Sequence, residues 1–326
     1  PMSLPVLLPL LADGKFRSGQ QLADALGVSR TAVWKQINKF AEETGVEIES
    51  MRGKGYRIPG GLDLLDAAAV RKGLDAVAAD LLGELVIAPA IDSTNAELMR
   101  RAQAGAAGGV VCVAEQQSAG RGRRGRTWVS PFAGNLYLSL LWDFRSGAAA
   151  LEGLSLAVGV AVARALNAAC GVSPALKWPN DIQHEGAKLG GILLEMSGDA
   201  DGPCQVVVGI GINVAMPNGA AGAIDQAWTD LRTIAPECPP RSALLAALLD
   251  TLLPLLDGYE ATGFAPWRDH WQALDAYAGE KVVLDTGARQ MAGIARGVDA
   301  RGALQFETTT GVQAVYGGEI SLRGGA

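Results

Sequence analysis

The chain has 326 residues, 49% hydrophobic and 19% charged, with a formal net charge of −6. Those values describe a folded globular protein, exclude a disordered one, and ask for two or three cores rather than one. The acidic balance excludes a protein that coats nucleic acid with its whole surface, so any anion site must be local.

Residues 1–60 read as a DNA-binding unit. Leu4, Leu7, Leu8 and Leu11 suit one face of a helix that stops at Asp13-Gly14. Ser18 precedes a second helix with Leu22 and Leu26 inward, and Ser29 is placed to cap a third, in which Val33, Ile37 and Phe40 share a face. Helix, glycine turn and capped helix make the helix-turn-helix pattern. The outward face of the third helix carries Arg30, Thr31, Lys35 and Asn38, suited to phosphates and base edges, while Trp34 beside them is not the polar residue expected there. Val46-Glu47-Ile48 and Tyr56-Arg57-Ile58 flank the turn Gly53-Lys54-Gly55 and read as a β wing carrying Lys54. The segment holds eight basic and six acidic residues, opposite in balance to the whole chain. A small helical protein-interaction module is the alternative.

Residues 62–276 mix apolar strands with helices and form an α/β or α+β core large enough for an enzyme. Val110 to Ala114, Leu136 to Leu141 and Gln205 to Ile210 read as covered strands, and Leu154 to Ala169 as a buried helix. From residue 279 to 326, short strands at Lys281–Leu284, Met291–Ala295, Ala303–Phe306 and Val312–Val315 alternate with turn residues and predict a small antiparallel barrel. The apolar stretch Leu4 to Leu11 lacks the basic flank and cleavage site of a signal peptide. The apolar run Ala243 to Leu256 is too short to span a bilayer and contains Asp250 and Pro254, so no membrane is expected. Cys112, Cys170, Cys204 and Cys238 form no Cys-x-x-Cys pair and, with only two histidines, read as free thiols of a cytoplasmic protein rather than a metal site.

Chemistry concentrates in the middle segment. Gly120 to Arg126 reads Gly-Arg-Gly-Arg-Arg-Gly-Arg, where glycine permits close backbone approach and arginine brings fixed charge and a planar donor fork. Gly120, Gly122 and Gly125 formally fit Gly-x-Gly-x-x-Gly, but the chain continues into Trp128, Pro131 and another strand, which leaves no phosphate-binding helix. Two anions about 4 Å apart repel by roughly 4 kcal/mol at an effective dielectric near 20, and arginines so spaced could cancel that for an enzyme joining a carboxylate to a phosphate. An arginine patch that only aids solubility is the bland reading. Asp92-Ser93-Thr94-Asn95 ends a strand and opens a helix, where Thr94 with Glu97 fits a capping box and the free amides and hydroxyls also suit a neutral polar ligand. Lys177-Trp178-Pro179-Asn180-Asp181 ends an apolar stretch with a turn. Lys188 heads the apolar strand Leu189 to Leu194 and must pair, bind a ligand, or sit at a strand edge in water. Gly209-Ile210-Gly211-Ile212-Asn213 is a strand whose glycines suggest close approach by a ligand or another strand, and Asn218 to Ala223 after it reads as mobile.

Taken in order, Asp92 to Asn95, Gln117, Gly120 to Arg126 with Trp128, Lys177 to Asp181, Lys188 to Ile192 and Gly209 to Asn213 resemble the biotin protein ligases. With the helix-turn-helix in front, the chain is similar to the bifunctional type that also represses a biotin operon. The resemblance implies a winged helix-turn-helix, a core of the class II synthetase and biotin/lipoate ligase fold, and a C-terminal SH3-like β-barrel. It implies ATP with Mg2+ and biotin as substrates, with no permanently bound cofactor. The biotinyl adenylate would pass its acyl group to a biotin carboxyl carrier protein domain, and an adenylate-bound homodimer would hold operator DNA. By motif match, Ser93, Thr94, Asn95, Gln117, Arg121, Gly122, Arg123 and Lys188 would bind biotin. Trp128, Lys177, Asn180, Gly209, Gly211, Asn213 and Trp228 would line the adenylate. Lys188, Arg121 and Arg123 would serve catalysis. The acceptor lysine is protonated at neutral pH and needs a base, for which Asp181 is the candidate, with a plain turn residue as its alternative reading. A small-molecule-sensing transcription factor without catalysis, and a lipoate ligase of related fold, are the competing readings.

Overall fold

The computed structural model describes residues 4–198, 202–222 and 224–322. Its first unit packs three helices and a hairpin. Helix α1 (Leu4–Leu11) buries Leu7, Leu8 and Leu11. Helix α2 (Gly19–Leu26) starts at Ser18, whose hydroxyl accepts from Gln21 N while the Gln21 side chain accepts from Ser18 N, a reciprocal capping box. Helix α3 (Arg30–Thr44) is capped by Ser29, buries Val33, Ile37 and Phe40, and ends at Gly45 in the left-handed region. Strands β1 (Glu49–Met51) and β2 (Gly55–Arg57) form the wing. Its first strand therefore begins after the expected Val46-Glu47-Ile48. Val46 and Ile48 pack instead on the helical core, because their apolar side chains gain more there than on a solvated hairpin.

The central unit begins with α4 (Ala67–Gly73), α5 (Ala76–Leu81), β3 (Glu84–Ala88), α6 (Thr94–Gln103) and β4 (Val110–Ala114). Strand β5 (Leu136–Phe144) and helix α7 (Leu154–Cys170) follow, then β6 (Ala175–Lys177), β7 (Asp181–His184), β8 (Ala187–Gly198) and β9 (Cys204–Ile212). The seven strands lie in the order β3-β4-β5-β9-β8-β7-β6, parallel between β3 and β4 and antiparallel elsewhere. Short α8 (Asn218–Ala221) and α9 (Leu231–Ile234) lead to α10 (Arg241–Thr262) and α11 (Ala265–Ala273). Of the stretch expected to be mobile, Asn218 to Ala221 is thus helical, and Ala223 lies outside the described residues.

Strand alternation sorts the two faces of this sheet. Val111, Val113, Leu138, Leu140, Val208 and Ile210 point toward α7 and α10. Cys112, Leu141 and Val207 point toward α6. The run Ala243 to Leu256 is part of a 22-residue helix that is long and apolar enough to cross a membrane, as is Ala149–Cys170, contrary to the expectation from the shorter run. Both are core helices here, each 61% buried over its most apolar window, because the sheet and the partner helix take the place of lipid.

The C-terminal unit is a five-stranded antiparallel sheet in the order β13-β12-β11-β10-β14. It comprises β10 (Lys281–Asp285), β11 (Gln290–Val298), β12 (Leu304–Thr308), β13 (Gly311–Val315) and β14 (Glu319–Leu322), the last unseen in the sequence pattern because only Ile320 of it is buried. A bulge between Ala295 and Val298 bends β11 around Leu284, Leu304 and Phe306. The cysteine expectation holds for Cys112 and Cys204, which are buried free thiols, and fails for Cys170 and Cys238, which form a disulfide. The fold brings the end of α7 beside the approach to α10 across 68 residues, a proximity no spacing rule reveals.

Candidate active site

The same alternation builds a cavity on the α6 side of the sheet. Register places Tyr137 opposite Gly211 and Gly211 opposite Gly191, and Ser139 opposite Gly209 and Gly209 opposite Leu193. The glycines expected to admit a ligand or a strand admit two of the chain's own side chains. A Cβ on Gly209 would stand 2.1 Å from Asn95 Oδ1, and one on Gly211 would stand 2.4 Å from Trp128 Cε2. Asn95 and Trp128 thus seat directly on the sheet, and both glycines still line the cavity.

The neutral wall comes from the start of α6. Its N-cap is Ser93, whose Oγ accepts from Ala96 N; the Thr94–Glu97 capping box expected from sequence does not form. Glu97 turns instead to Arg100 and Arg101, whose charges outcompete a single amide. Thr94 is left for the cavity, where its N and Oγ1 both donate to Gln117 Oε1, at 2.9 and 3.2 Å. Gln117 Nε2 in turn donates to Ser130 Oγ. Ser139 Oγ lies 2.8 Å from Thr94 Oγ1 and 2.6 Å from Asn95 Oδ1. Ser93, Thr94, Asn95 and Ser139 are all buried, a set of oriented, uncharged hydroxyls and amides on one side of the cavity. Burial pushes the Tyr137 phenol beneath them far up, so it stays a neutral hydroxyl, donating to Pro131 O.

The opposite wall is cationic. Lys188 Nζ is 2.8 Å from Asp181 Oδ1 and 5.6 Å from the Trp128 ring, and Lys177 reaches the same carboxylate at 3.5 Å. The arginine loop divides its labour. Arg124 and Arg126 reach to the C-terminal sheet, Arg124 donating to Asp285 O at 2.9 Å and Arg126 pairing with Glu319 at 2.6 Å at the cavity rim. Arg121 pairs with Glu195 at 3.1 Å. Arg123 donates only to the neutral Asn180 Oδ1 and Gly318 O, and among the described residues no carboxylate lies within ion-pair distance of it. Burial, chiefly, pulls its guanidinium down from the ordinary arginine value, the signature of a cation short of both water and a counter-ion.

These walls face one another across a cavity open to solvent, lined by Ser93, Thr94, Asn95, Gln117, Arg121, Gly122, Arg123, Trp128, Asn180, Asp181, Lys188, Gly209 and Gly211 from the sequence-derived set. Trp128 and Lys188 also border a neighbouring cavity with Asn213, Ile224 and Trp228. Asn213 spends its amide on Lys188 O and Thr229 O, fastening the end of β9. Lys177 lines neither cavity and acts through Asp181. Sequence reasoning missed Thr127, Gln226 and Glu319, which line the cavity, and Ser139, which supports Thr94 and Asn95 from behind it. Of these, Ser139 was readable only as the polar member of an apolar strand.

On the first unit, Arg30, Thr31, Lys35, Asn38 and Lys54 are all exposed. Arg30 and Thr31 line a concave surface between α3 and the wing with Trp34, Met51 and Arg52, whereas Lys35, Asn38 and Lys54 lie outside it.

A winged helix, a mixed sheet with a half-neutral, half-cationic cavity, and a small β unit define a DNA-binding domain joined to a ligase core. The chain matches the family model "Biotin/lipoate A/B protein ligase family" over residues 87–213, "HTH domain" over 6–57 and "Biotin protein ligase C terminal domain" over 277–323. It is 41% identical to "Bifunctional ligase/repressor BirA" of Salmonella typhimurium over 97% of this chain and 96% of the relative, and 40% identical to that of Escherichia coli with the same coverage. A solved structure, "Biotin protein ligase from Aquifex aeolicus in complex with biotin and ATP", superposes with TM-score 0.63 and 30% identity over 74% of this chain and 99% of that one. The chain belongs to the biotin protein ligases of the bifunctional ligase/repressor type.

Proposed function

We infer that this protein joins biotin to ATP and passes the biotinyl group to a lysine of a biotin carboxyl carrier protein domain, and that its adenylate-bound homodimer represses transcription from a two-fold symmetric operator. The observation that carries the ligase reading is the juxtaposition of two walls in one cavity. Buried hydroxyls and an amide from Ser93, Thr94 and Asn95, with the half-buried amide of Gln117, face a group formed by Lys188, Arg121 and Arg123. The first suits an uncharged polar ring system, and the second suits a carboxylate meeting a phosphate.

In the first step the biotin carboxylate oxygen attacks the α-phosphorus of MgATP, and the bond to the β,γ-phosphates breaks to release pyrophosphate. Lys188, Arg121 and Arg123 offset the charge that gathers as the two anions approach, with magnesium carried on the triphosphate. Trp128, Asn180, Gly209, Gly211, Asn213 and Trp228 border the nucleotide, and Lys177 steadies Asp181. In the second step a carrier lysine amine attacks the acyl carbon, AMP leaves, and Asp181 accepts the amine's proton. A free lysine has a pKa near ~10.4, so the incoming amine needs such help at neutral pH. Arg30, Thr31, Lys35, Asn38 and Lys54 provide the DNA-facing surface, and the working compartment is the cytoplasm. The decisive measurement is pyrophosphate release with biotin, ATP and magnesium, followed by acyl transfer to a carrier domain. A protein that only senses its ligand gives no pyrophosphate, and a lipoate ligase gives it with lipoate in place of biotin; either result overturns the reading.

A further inference from the structure

Glu195 sits on β8 opposite Val207, on the sheet face that α6 covers, and behind rather than within the cavity wall. Its Oε2 accepts from Asn95 Nδ2 at 2.7 Å and from Arg121 Nη2 at 3.1 Å. Asn95 is 4% exposed, and its amide is used in full, with Nδ2 also reaching Leu193 O and Oδ1 facing Ser139 Oγ. Arg121, by contrast, is a long side chain 46% open to solvent. Untethered, it would sample many rotamers, and a ligand would have to bear the cost of ordering it. Held by one nitrogen, it keeps its remaining N–H groups for an anion in the cavity it lines. One carboxylate oxygen thereby joins the neutral wall to the cationic wall.

We propose that Glu195 is a positioning residue for adenylate formation, holding Arg121 in the cavity wall through the same oxygen that fixes Asn95. The proposal rests on the ligase reading above. The opposite role, a counter-ion that competes with ligand for Arg121, makes the reverse prediction.

The test is a double-mutant cycle on the full chain, reading pyrophosphate release against MgATP and biotin for wild type, Glu195→Gln, Arg121→Ala and the pair. Glu195→Gln keeps an oxygen for Asn95 and removes the charge that tethers Arg121. Its KM for MgATP should rise about fivefold, the upper range for a partly exposed ion pair. In the Arg121→Ala background the same substitution should add nothing, a non-additivity that a merely structural residue would not show. Glu195→Asp, which keeps the charge with a shorter reach, should move the MgATP KM in the same direction by less. An unchanged or lowered MgATP KM in either variant, or an equal loss with Arg121 already removed, overturns the proposal. Wild-type protein without pyrophosphate release sinks the ligase reading and this inference together, whereas active wild type with a silent Glu195→Gln sinks the inference alone.

Discussion

Lys188 has three neighbours that explain its place: the Asp181 carboxylate, the Trp128 face and the open cavity. In the proposed reaction its ammonium offsets charge at the reacting phosphate, so Lys188→Ala should lower the adenylation rate by about a hundredfold. Its melting temperature should move little, since Lys177 stays paired with the Asp181 carboxylate; wild-type rates would remove Lys188 from the site. Asp92 shows a different residue-scale effect. Hydrogen bonds from Arg100, aided by the Ser93 amide and opposed by burial, pull its carboxyl down to about 2 from an ordinary 3.8. A depressed folded-state value contributes stability above the ordinary range and loses it as pH falls through the folded value. Asp92→Asn should therefore be less stable than wild type at neutral pH, and the gap in urea midpoints should close between about pH 4 and about pH 2. A gap that persists at the acid end would show that the charge is not its source.

At the scale of elements, the segment linking the winged helix to the sheet is fastened by one buried network. Arg241, at the first turn of α10, is 1% exposed and pairs with Glu115 at 2.5 Å while donating to Asn135 O and Asp63 O. Glu115 accepts in turn from Leu65 N at 2.7 Å. Breaking such a pair leaves a buried charge unpaired, so Arg241→Met should cost about 3–5 kcal/mol in denaturant unfolding. The double variant Arg241→Met with Glu115→Gln should recover part of that loss. A single variant with near wild-type stability would mean that water already reaches the site. None of this was legible beforehand, because Asp63, Glu115 and Arg241 are far apart in the chain and each alone reads as a surface charge.

The whole molecule shows the winged helix and the catalytic loop region sharing a core. Phe132, four residues beyond Trp128, is 4% exposed and packs edge-on to Phe40 of α3, with ring centroids 5.4 Å apart. Deleting residues through Gly60 should abolish operator binding and also lower ligase activity, because it strips the cover from Phe132 and frees the segment that holds Gln117 through Ser130. Full ligase activity in the truncated chain would show that this packing does not support the site. On the DNA-binding face, Lys35→Ala should weaken operator binding across sequences and reduce the slope of log affinity against log salt by about one. An unchanged slope would remove Lys35 from the phosphate contacts.

Local patterning determined much of this protein before any tertiary information. Helix caps at Ser18 and Ser29, the covered strands Val110–Ala114 and Leu136–Leu141, and the order of motifs from Asp92 to Asn213 depend on neighbours a few residues apart. The cluster of charge in the arginine loop was legible, yet its division was not. Only the fold brings Asp285 and Glu319 to claim Arg124 and Arg126, brings Glu195 to Arg121, and leaves Arg123 facing the cavity. The same holds for Ser93 taking the helix cap from Thr94, and for Cys170 meeting Cys238. Which polar group wins a given partner is set by distances across the folded chain, and sequence periodicity records only which face a residue is on.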